Sequence, residues 1–350
     1  MSSERKLIIQ DFEPDDATAI AYQHMMTPSE VPFFILVSSP DPEKHTRETQ
    51  ALLETLLKKK ERNISLEVGP KYGRGLEDDG FELLKDPPFS YKMDRFISEA
   101  EDDSVTVYLL TSCYCLVKWW HDDWLKKIKV VFQMGGEGVP TKDENGKETT
   151  QFGFNWRCGS SYIAPFLKKV PYNKRFFLET RVYNEFFKNK FNIPCKYTVR
   201  ENGKELTKEV TESIVSLCPL TFPKFTGSLN VLCYGVSGYI KKDEEVVSFL
   251  IKKNLDWIKS AWGKYWESEE VMKRFNKFYP TDNWCYWFGP ADILLSVMSL
   301  EKFETRKKKI FVPVKKENGD FKFEYEIASM EIMDCEFLDE KLAEFVKMLK

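Results

Sequence analysis

Five strand-length apolar runs fall within the first 134 residues, and stretches of helical periodicity separate them. The strands are expected at Lys6 to Gln10, Val31 to Ser38, Ser65 to Val68, Val105 to Leu110 and Lys129 to Met134. Helices fit between them at Asp15 to Met26, Glu43 to Lys59, Tyr91 to Glu101 and Tyr114 to Lys126. Repeated alternation of this kind predicts an α/β fold: an open, mostly parallel (mixed), Rossmann-like sheet with helices on both faces. Such a sheet puts ligand sites at the carboxyl ends of its strands.

Beyond Met134 the pattern is less regular. Asn-Gly pairs at Asn145, Asn202 and Asn318 sit in charged stretches and signal tight turns or hairpins at the surface. The segment from Trp257 to Phe288 is rich in aromatic residues and leads into a helix-like run after Asp292; Leu338 to Lys350 has the pattern of an amphipathic closing helix. No repeat or low-complexity linker marks a boundary, so the expectation is one domain over 1–350, with an aromatic-rich helical segment at about 243–290 near the site.

Charge excludes one class of partner. The 52 basic and 55 acidic side chains leave a net −3, too balanced to create a field for nucleic acid. No apolar stretch of bilayer length and no secretory signal is present, so the expected setting is cytoplasmic, away from membranes. The eight cysteines follow neither a zinc nor a disulfide pattern, and Cys113 and Cys115 form their closest pair.

The first strand ends in Asp11, and Asp15 and Asp16 open the helix behind it. An isolated Asp-Asp pair is a helix cap. Three carboxylates within six residues at the end of a buried strand repel one another unless a cation neutralises them. With no histidine or cysteine in the stretch, the donors are hard oxygens, which favours Ca²⁺, with Mg²⁺ second, over zinc. Asp292, before a strongly apolar helical run in "FGPADILLSVMSL", is a further candidate ligand.

"DFEPDDATAI" resembles the N-terminal signature of the nucleoside hydrolases, and other segments agree in order. These are "ILVSSPDPEKHTRETQALLETL", with Thr46, Arg47, Ala51 and Leu52 matching, then "VYLLTSCYCL", "VVFQMGGEG", "QFGFNWRCGSS" and "PADILL". The resemblance implies a divergent nucleoside hydrolase-like (inosine-uridine preferring) protein with calcium held by Asp11, Asp16, Asp292 and the Thr111 carbonyl. It further implies that Asp11 is the general base acting on a metal-bound water, that Asp15 binds the ribose 2′-hydroxyl, and that Asn155 holds sugar hydroxyls. Ser39 stands where the family usually has asparagine. Trp284, Tyr286 and Trp287 lie close to Asp292 in sequence, where an aromatic can stack on a departing base. The implied activity is calcium-dependent hydrolysis of the N-glycosidic bond of a ribonucleoside or related N-riboside, in purine or pyrimidine nucleoside metabolism, with a homo-oligomer as the implied assembly.

Departures from the family pattern leave a second reading, a catalytically weak or inactive homologue that binds a ribosyl or nucleotide ligand. Ile9 replaces an aspartate, Phe12 and Glu13 replace Pro-Gly, Gly153 replaces a glutamate at the sugar's 5′ end, and Ala291 replaces a histidine. After Thr111, Ser112, Cys113 and Leu116 replace Gly, Pro and Asn. The small residues at 153 and 291 suggest room for a larger 5′ substituent, such as a phosphate or dinucleotide, with Arg157, Arg74 and Lys71 as basic candidates. A phosphatase with a nucleophilic aspartate is disfavoured, since Glu13 stands where a second aspartate is needed. "WWHDDW" and the basic runs Lys58 to Lys60 and Arg306 to Lys309 are read as structural or solvated.

Overall fold

A computed structural model describes residues 4–71, 89–142, 146, 148–179, 182, 193–201, 204–212, 234–237, 246, 249–250, 252–253, 285–288, 290–300, 303–316, 319–331, 340–341, 344–345 and 347–348. For some of these, including Asp292 and Trp287, only the backbone is described. The chain divides into two compact units. One comprises Met1–Phe12, Gln23–Thr180 and Met298–Met333, the other Glu13–Tyr22, Arg181–Val297 and Asp334–Lys350.

The first unit is built on an eight-stranded sheet. Its first five strands are β1 (Arg5–Gln10), β2 (Phe33–Ser39), β3 (Ile64–Lys71), β4 (Val105–Leu109) and β5 (Ile128–Met134). A hairpin follows, of β6 (Gly138–Lys142) and β7 (Glu148–Phe152), then β8 (Arg175–Leu178). The second unit contributes two antiparallel ribbons, β9 (Ile193–Glu201) with β10 (Lys204–Glu212), and β11 (Tyr234–Ser237) with β12 (Cys285–Phe288). Two long strands, β13 (Glu304–Lys316) and β14 (Gly319–Glu331), complete the sheet. Strand order is β13-β14-β8-β5-β4-β1-β2-β3, parallel throughout except for the edge strand β13.

The five expected strands form, within three residues at either end. All but the first residue of β1, and all of β2 and β4, are buried, the condition for a parallel sheet covered on both faces. Alternation assigns the covers. Leu7, Ile9, Phe34 and Leu36 share one core with Met93 and Ile97 of helix α3 (Tyr91–Ser98). On the other parity, the Gln10 amide donates to Thr49 of helix α2 (Pro42–Lys59), 3.1 Å away. Side chains cap both helices: Asp41 accepts from the Lys44 N–H, and Ser90 from the Met93 N–H.

The helix expected over Tyr114 to Lys126 is instead two, α4 (Tyr114–Lys118) and α5 (Trp124–Lys127). "WWHDDW" makes the turn between them, where backbone bonds from Trp124 to His121 and from Leu125 to Asp122 tighten the chain. Trp124 is buried with its indole donating to Asp94, 2.9 Å away, which outweighs helical continuity. All three Asn-Gly stretches join antiparallel strands, at β6–β7, β9–β10 and β13–β14. The sheet's extension by β8, β14 and β13 was not expected. Most of β13's basic run is exposed, with Lys307 and Lys309 paired to Glu326 and Glu324, but Lys308 reaches the buried Glu179. Lys60 is also half-buried, donating to the carbonyls of Met25 and Thr27.

Helix α1 (Pro14–Met26) begins in the second unit and ends in the first. Helix α8, the run expected after Asp292, spans Pro290–Leu300, after the short α6 (Phe154–Arg157) and α7 (Ser160–Lys169). The described residues among 340–348 are helical, and Phe345 packs edge-on against Tyr22 at 5.2 Å. Among the described residues no helix is long and apolar enough to cross a membrane.

Buried cations in the first unit are matched by oxygens. Arg62 donates to the carbonyls of His24, Thr27, Pro28 and Val31, closing the α1–β2 connection. Lys6 donates to Gln23 Oε1 and Thr27 Oγ1, both 2.8 Å away, and its ammonium lies over the Tyr108 ring. Burial lowers its pKa from 10.5 to about 7, with Arg62 and Lys129 adding to the fall and Glu4 opposing it. Between those values the unfolded chain holds a proton that the folded chain has released. The contribution of Lys6 to stability therefore increases as pH rises through that window, and its penalty is fully present below it. Urea unfolding at roughly pH 7 and pH 10 should show this rise in the wild type and a smaller one in Lys6→Met; equal slopes would refute the assignment.

Candidate site at the strand-order reversal

The chain runs from β1 outward to β2 and β3, then returns to the other side of β1 to lay down β4 and β5. The order therefore reverses between β1 and β4, and crossovers leave in opposite directions there, opening a crevice at the carboxyl ends. Ile9 pairs with Leu109, and the Leu110 N–H donates to the Ile9 carbonyl, 2.9 Å away. Asp11 follows β1 by one residue and Thr111 follows β4 by two, so each stands just past one of these paired ends. Both are buried, and Asp11 keeps 7% of its surface accessible. At the end of β2, the Ser39 hydroxyl accepts from the Asp41 N–H, which engages it with the start of α2.

Phe12, immediately after Asp11, has φ of 60°. A bulky residue rarely occupies this left-handed region, and here the phenyl ring is fully buried. The chain thus turns where the family signature has Pro-Gly, and packing of an aromatic ring replaces glycine's conformational freedom. Asp16 is buried at the third position of α1, and its Oδ2 accepts from the Glu13 N–H at 2.7 Å, a bond back to the capping residue. Asp15, one position earlier, is half-buried.

After β5 the chain passes through Gly135 and Gly136, with φ of 146° and 105°. A Cβ on Gly135 would meet the Trp156 ring at 2.7 Å, and one on Gly136 would meet Phe177 at 2.9 Å, so this turn requires both glycines. Asn155, half-buried in α6, donates to the carbonyls of Leu110 at 3.0 Å and Met134 at 3.4 Å. It ties the end of β4 to the end of β5.

The space expected beside Gly153 is filled. A Cβ there would lie 2.2 Å from Glu137 Oε2. A carboxylate from the far side of the β6–β7 hairpin stands in it, so the expectation of room for a phosphate at 153 is corrected. Glu137 is not among the sequence candidates, because nothing local in the chain relates it to Gly153 at the open end of the hairpin. Lys71 and Arg157 are exposed, as surface charges would be, and Arg74 lies outside the described residues.

Trp284 also lies outside the described residues, as do the side chains of Asp292, Tyr286 and Trp287; Asp292 is in the first turn of α8 and Trp287 is on β12. The structure therefore sets Asp11 and Thr111 just past the ends of the paired strands β1 and β4, and bonds Asn155 to the Leu110 carbonyl at the end of β4. Among the described residues no three His, Cys, Asp or Glu side chains form a metal-binding group. The buried carboxylate of Asp11 is a hard oxygen donor, the kind that calcium takes. Cys113 and Cys115 are free and buried, and burial pushes each thiol up to about 12, which removes them as nucleophiles at neutral pH.

No protein-family model and no curated protein matches the chain. Among solved structures, the chain is similar to the inosine-uridine preferring nucleoside hydrolase from Bacillus anthracis, with a TM-score of 0.50, 10% identity and 99% of each chain covered. It is also similar to the effector protein XOO4466, with a TM-score of 0.53, 10% identity, and 100% of this chain and 94% of that one covered. The fold is nucleoside hydrolase-like. At this identity the likeness shows the fold alone.

Asn155→Ala would strip a donor from two strand-end carbonyls, and urea midpoints should show a loss of about 1–3 kcal/mol. At Phe12, glycine would relieve left-handed strain worth about 1–2 kcal/mol but remove a buried ring worth about 3–5 kcal/mol. Phe12→Gly should therefore unfold at lower denaturant than the wild type; a higher midpoint would show that strain dominates.

Proposed function

We propose that the protein is an N-ribosyl hydrolase acting on a ribonucleoside or related small N-riboside. The observation that carries this reading is the parallel pairing of β1 with β4 at the strand-order reversal of a nucleoside hydrolase-like fold, with Asp11 and Thr111 just past the two strand ends in sequence. That crevice is where an open α/β sheet receives its ligand. A buried carboxylate there suits a reaction that develops positive charge on a sugar.

In the proposed reaction, a water oxygen attacks the anomeric carbon as the N-glycosidic bond breaks. The bond's electron pair leaves with the base, and a carboxylate oxygen of Asp11 takes the water's proton. Burial of Asp11 keeps its charge close to the oxocarbenium-like centre with little screening. Asp15 would accept a hydrogen bond from the 2′-hydroxyl and Asn155 Oδ1 one from another sugar hydroxyl, while Ser39 would line the β2 side. Trp284 and Trp287 would stack on the departing base. Calcium would be held by Asp11, Asp16, Asp292 and the Thr111 carbonyl, and when bound it supplies Lewis-acid polarisation and orients the sugar diol. The setting in this proposal is cytoplasmic, where buried thiols such as Cys113 and Cys115 stay reduced.

The test is release of free ribose from a panel of purine and pyrimidine nucleosides, with calcium and with chelator. The wild type should turn over at least one nucleoside. Asp11→Ala should slow it by about 10²–10⁴-fold while the protein remains folded. Tight nucleoside binding with no product across the panel would overturn the hydrolase reading in favour of a ribosyl-binding protein.

A further inference from the structure

Three cations converge on Thr27, the buried residue that follows α1. Its hydroxyl accepts from Lys6 Nζ at 2.8 Å, and its carbonyl accepts from Lys60 Nζ at 2.5 Å and from Arg62 at 2.7 Å. The same side chains take further acceptors on the last turn of α1: Gln23 Oε1 goes to Lys6, the His24 carbonyl to Arg62 and the Met25 carbonyl to Lys60. Carbonyls at a helix C-terminus have no partners within the helix, and cations suit the negative end of its dipole. The cluster fastens the end of α1 to β1 through Lys6 and to the α2–β3 connection through Lys60 and Arg62. Lys6 is the most deeply buried of the three. Among the described residues its Nζ has two oxygen partners, both from this end of α1, and the Tyr108 ring lies 5.6 Å away. A neutral amine has two N–H donors and matches those two oxygens. An ammonium has a third, for which the ring is a weaker partner than water.

We propose that Lys6 is a proton-sensitive catch for the last turn of α1, closed while its amine is neutral and released when a proton adds to it. Release is local: the turn opens and Lys6 reaches water while the sheet stays folded. The surrounding charges favour the neutral amine. Arg62 and Lys60 share Thr27 with it and Lys129 adds from β5, against Glu4 on its own strand and Glu30, which acts on Arg62 and Lys60. Tyr108 on β4 donates no charge, since burial keeps its hydroxyl un-ionised, and α8 presents the Ser299 hydroxyl to it at 3.0 Å. His24 stays neutral, its pKa pushed down to about 4 by burial and by Arg62. In agreement with the donor count, burial pushes Lys6 itself down to about 7. Between that value and 10.5 the opened turn holds a proton that the closed turn lacks. Opening therefore becomes rarer as pH rises, by up to about tenfold per unit, and loses its pH dependence below the window. The helix so held presents Asp15 and Asp16 in its first turn.

The test is hydrogen exchange of the full chain at pH 7 and pH 9, corrected for intrinsic rates. It is read at the Thr27 amide, which donates to the Gln23 carbonyl, and at amides of β1 and β4. At pH 7 the turn should exchange faster than the strands, through its own opening. Its protection should increase by more than about tenfold at pH 9. Lys6→Met should abolish the increase, and Thr27→Val, which removes one acceptor and keeps the shape, should lower protection at pH 9. A turn with the same protection as the strands at both pH values opens only by global unfolding, and that result refutes the catch. Local opening with equal protection at the two pH values refutes it as well. One measurement needs no variant to fold: in the wild type, nitrogen NMR of the Lys6 amine should show it neutral by pH 9. An ammonium persisting there would overturn the proposal, and none of these outcomes bears on the N-riboside reading.

Discussion

Parallel pairing of β1 with β4 is the interaction on which the site depends. It joins two strands nearly a hundred residues apart in sequence, and it is where the chain, having built outward in one direction, returns to build in the other. Every other placement follows from that junction. Asp11 and Thr111 follow strand ends that the register holds together at Ile9 and Leu109. Asn155 has work to do only because the carbonyls of Leu110 and Met134 come to adjacent strand ends. Differing faces fix the register, since a one-residue slip would carry Lys6 and Gln10 into the core that Leu7 and Ile9 share with Met93 and Ile97.

Several buried charged side chains among the described residues have oxygen or nitrogen partners. Arg62 is surrounded by four backbone carbonyls, Lys6 by an amide oxygen and a hydroxyl, Lys60 by two carbonyls, and Glu179 faces Lys308. Asp16 follows the same rule through the Glu13 N–H. The cost of leaving such groups unmatched exceeds the small net worth of each bond, which explains why polar side chains at helix ends and strand ends, far from any chemistry, are so closely matched.

The loop after Asp11 shows two solutions to one geometrical demand. A tight exit from a strand favours glycine; here Phe12 takes the left-handed conformation and a fully buried ring holds it there. At Gly153 the exchange runs the other way, since loss of a side chain at one position admits a carboxylate from the facing strand end. Residue-by-residue matching against a family pattern misses this second kind of exchange.

The parallel core was legible in the chain itself, because a two-residue period in buried runs and a longer period between them are local properties. The same holds for the hairpins at Asn-Gly and for Asp11 at a strand end. What was not legible depended on partners distant in sequence. The break of Tyr114 to Lys126 is made by Trp124 finding Asp94, and the addition of β8, β14 and β13 by edge pairing between segments some 150 residues apart. Likewise, no local signal says that Glu137 fills the space beside Gly153 or that Asn155 donates to two strand ends. Sequence by itself determined the kind of sheet and the carboxylates at its edge, since periodicity and residue type are written along the chain. Tertiary structure alone decided which groups share that edge, since a register between distant strands is a property of the packed core and of no single segment.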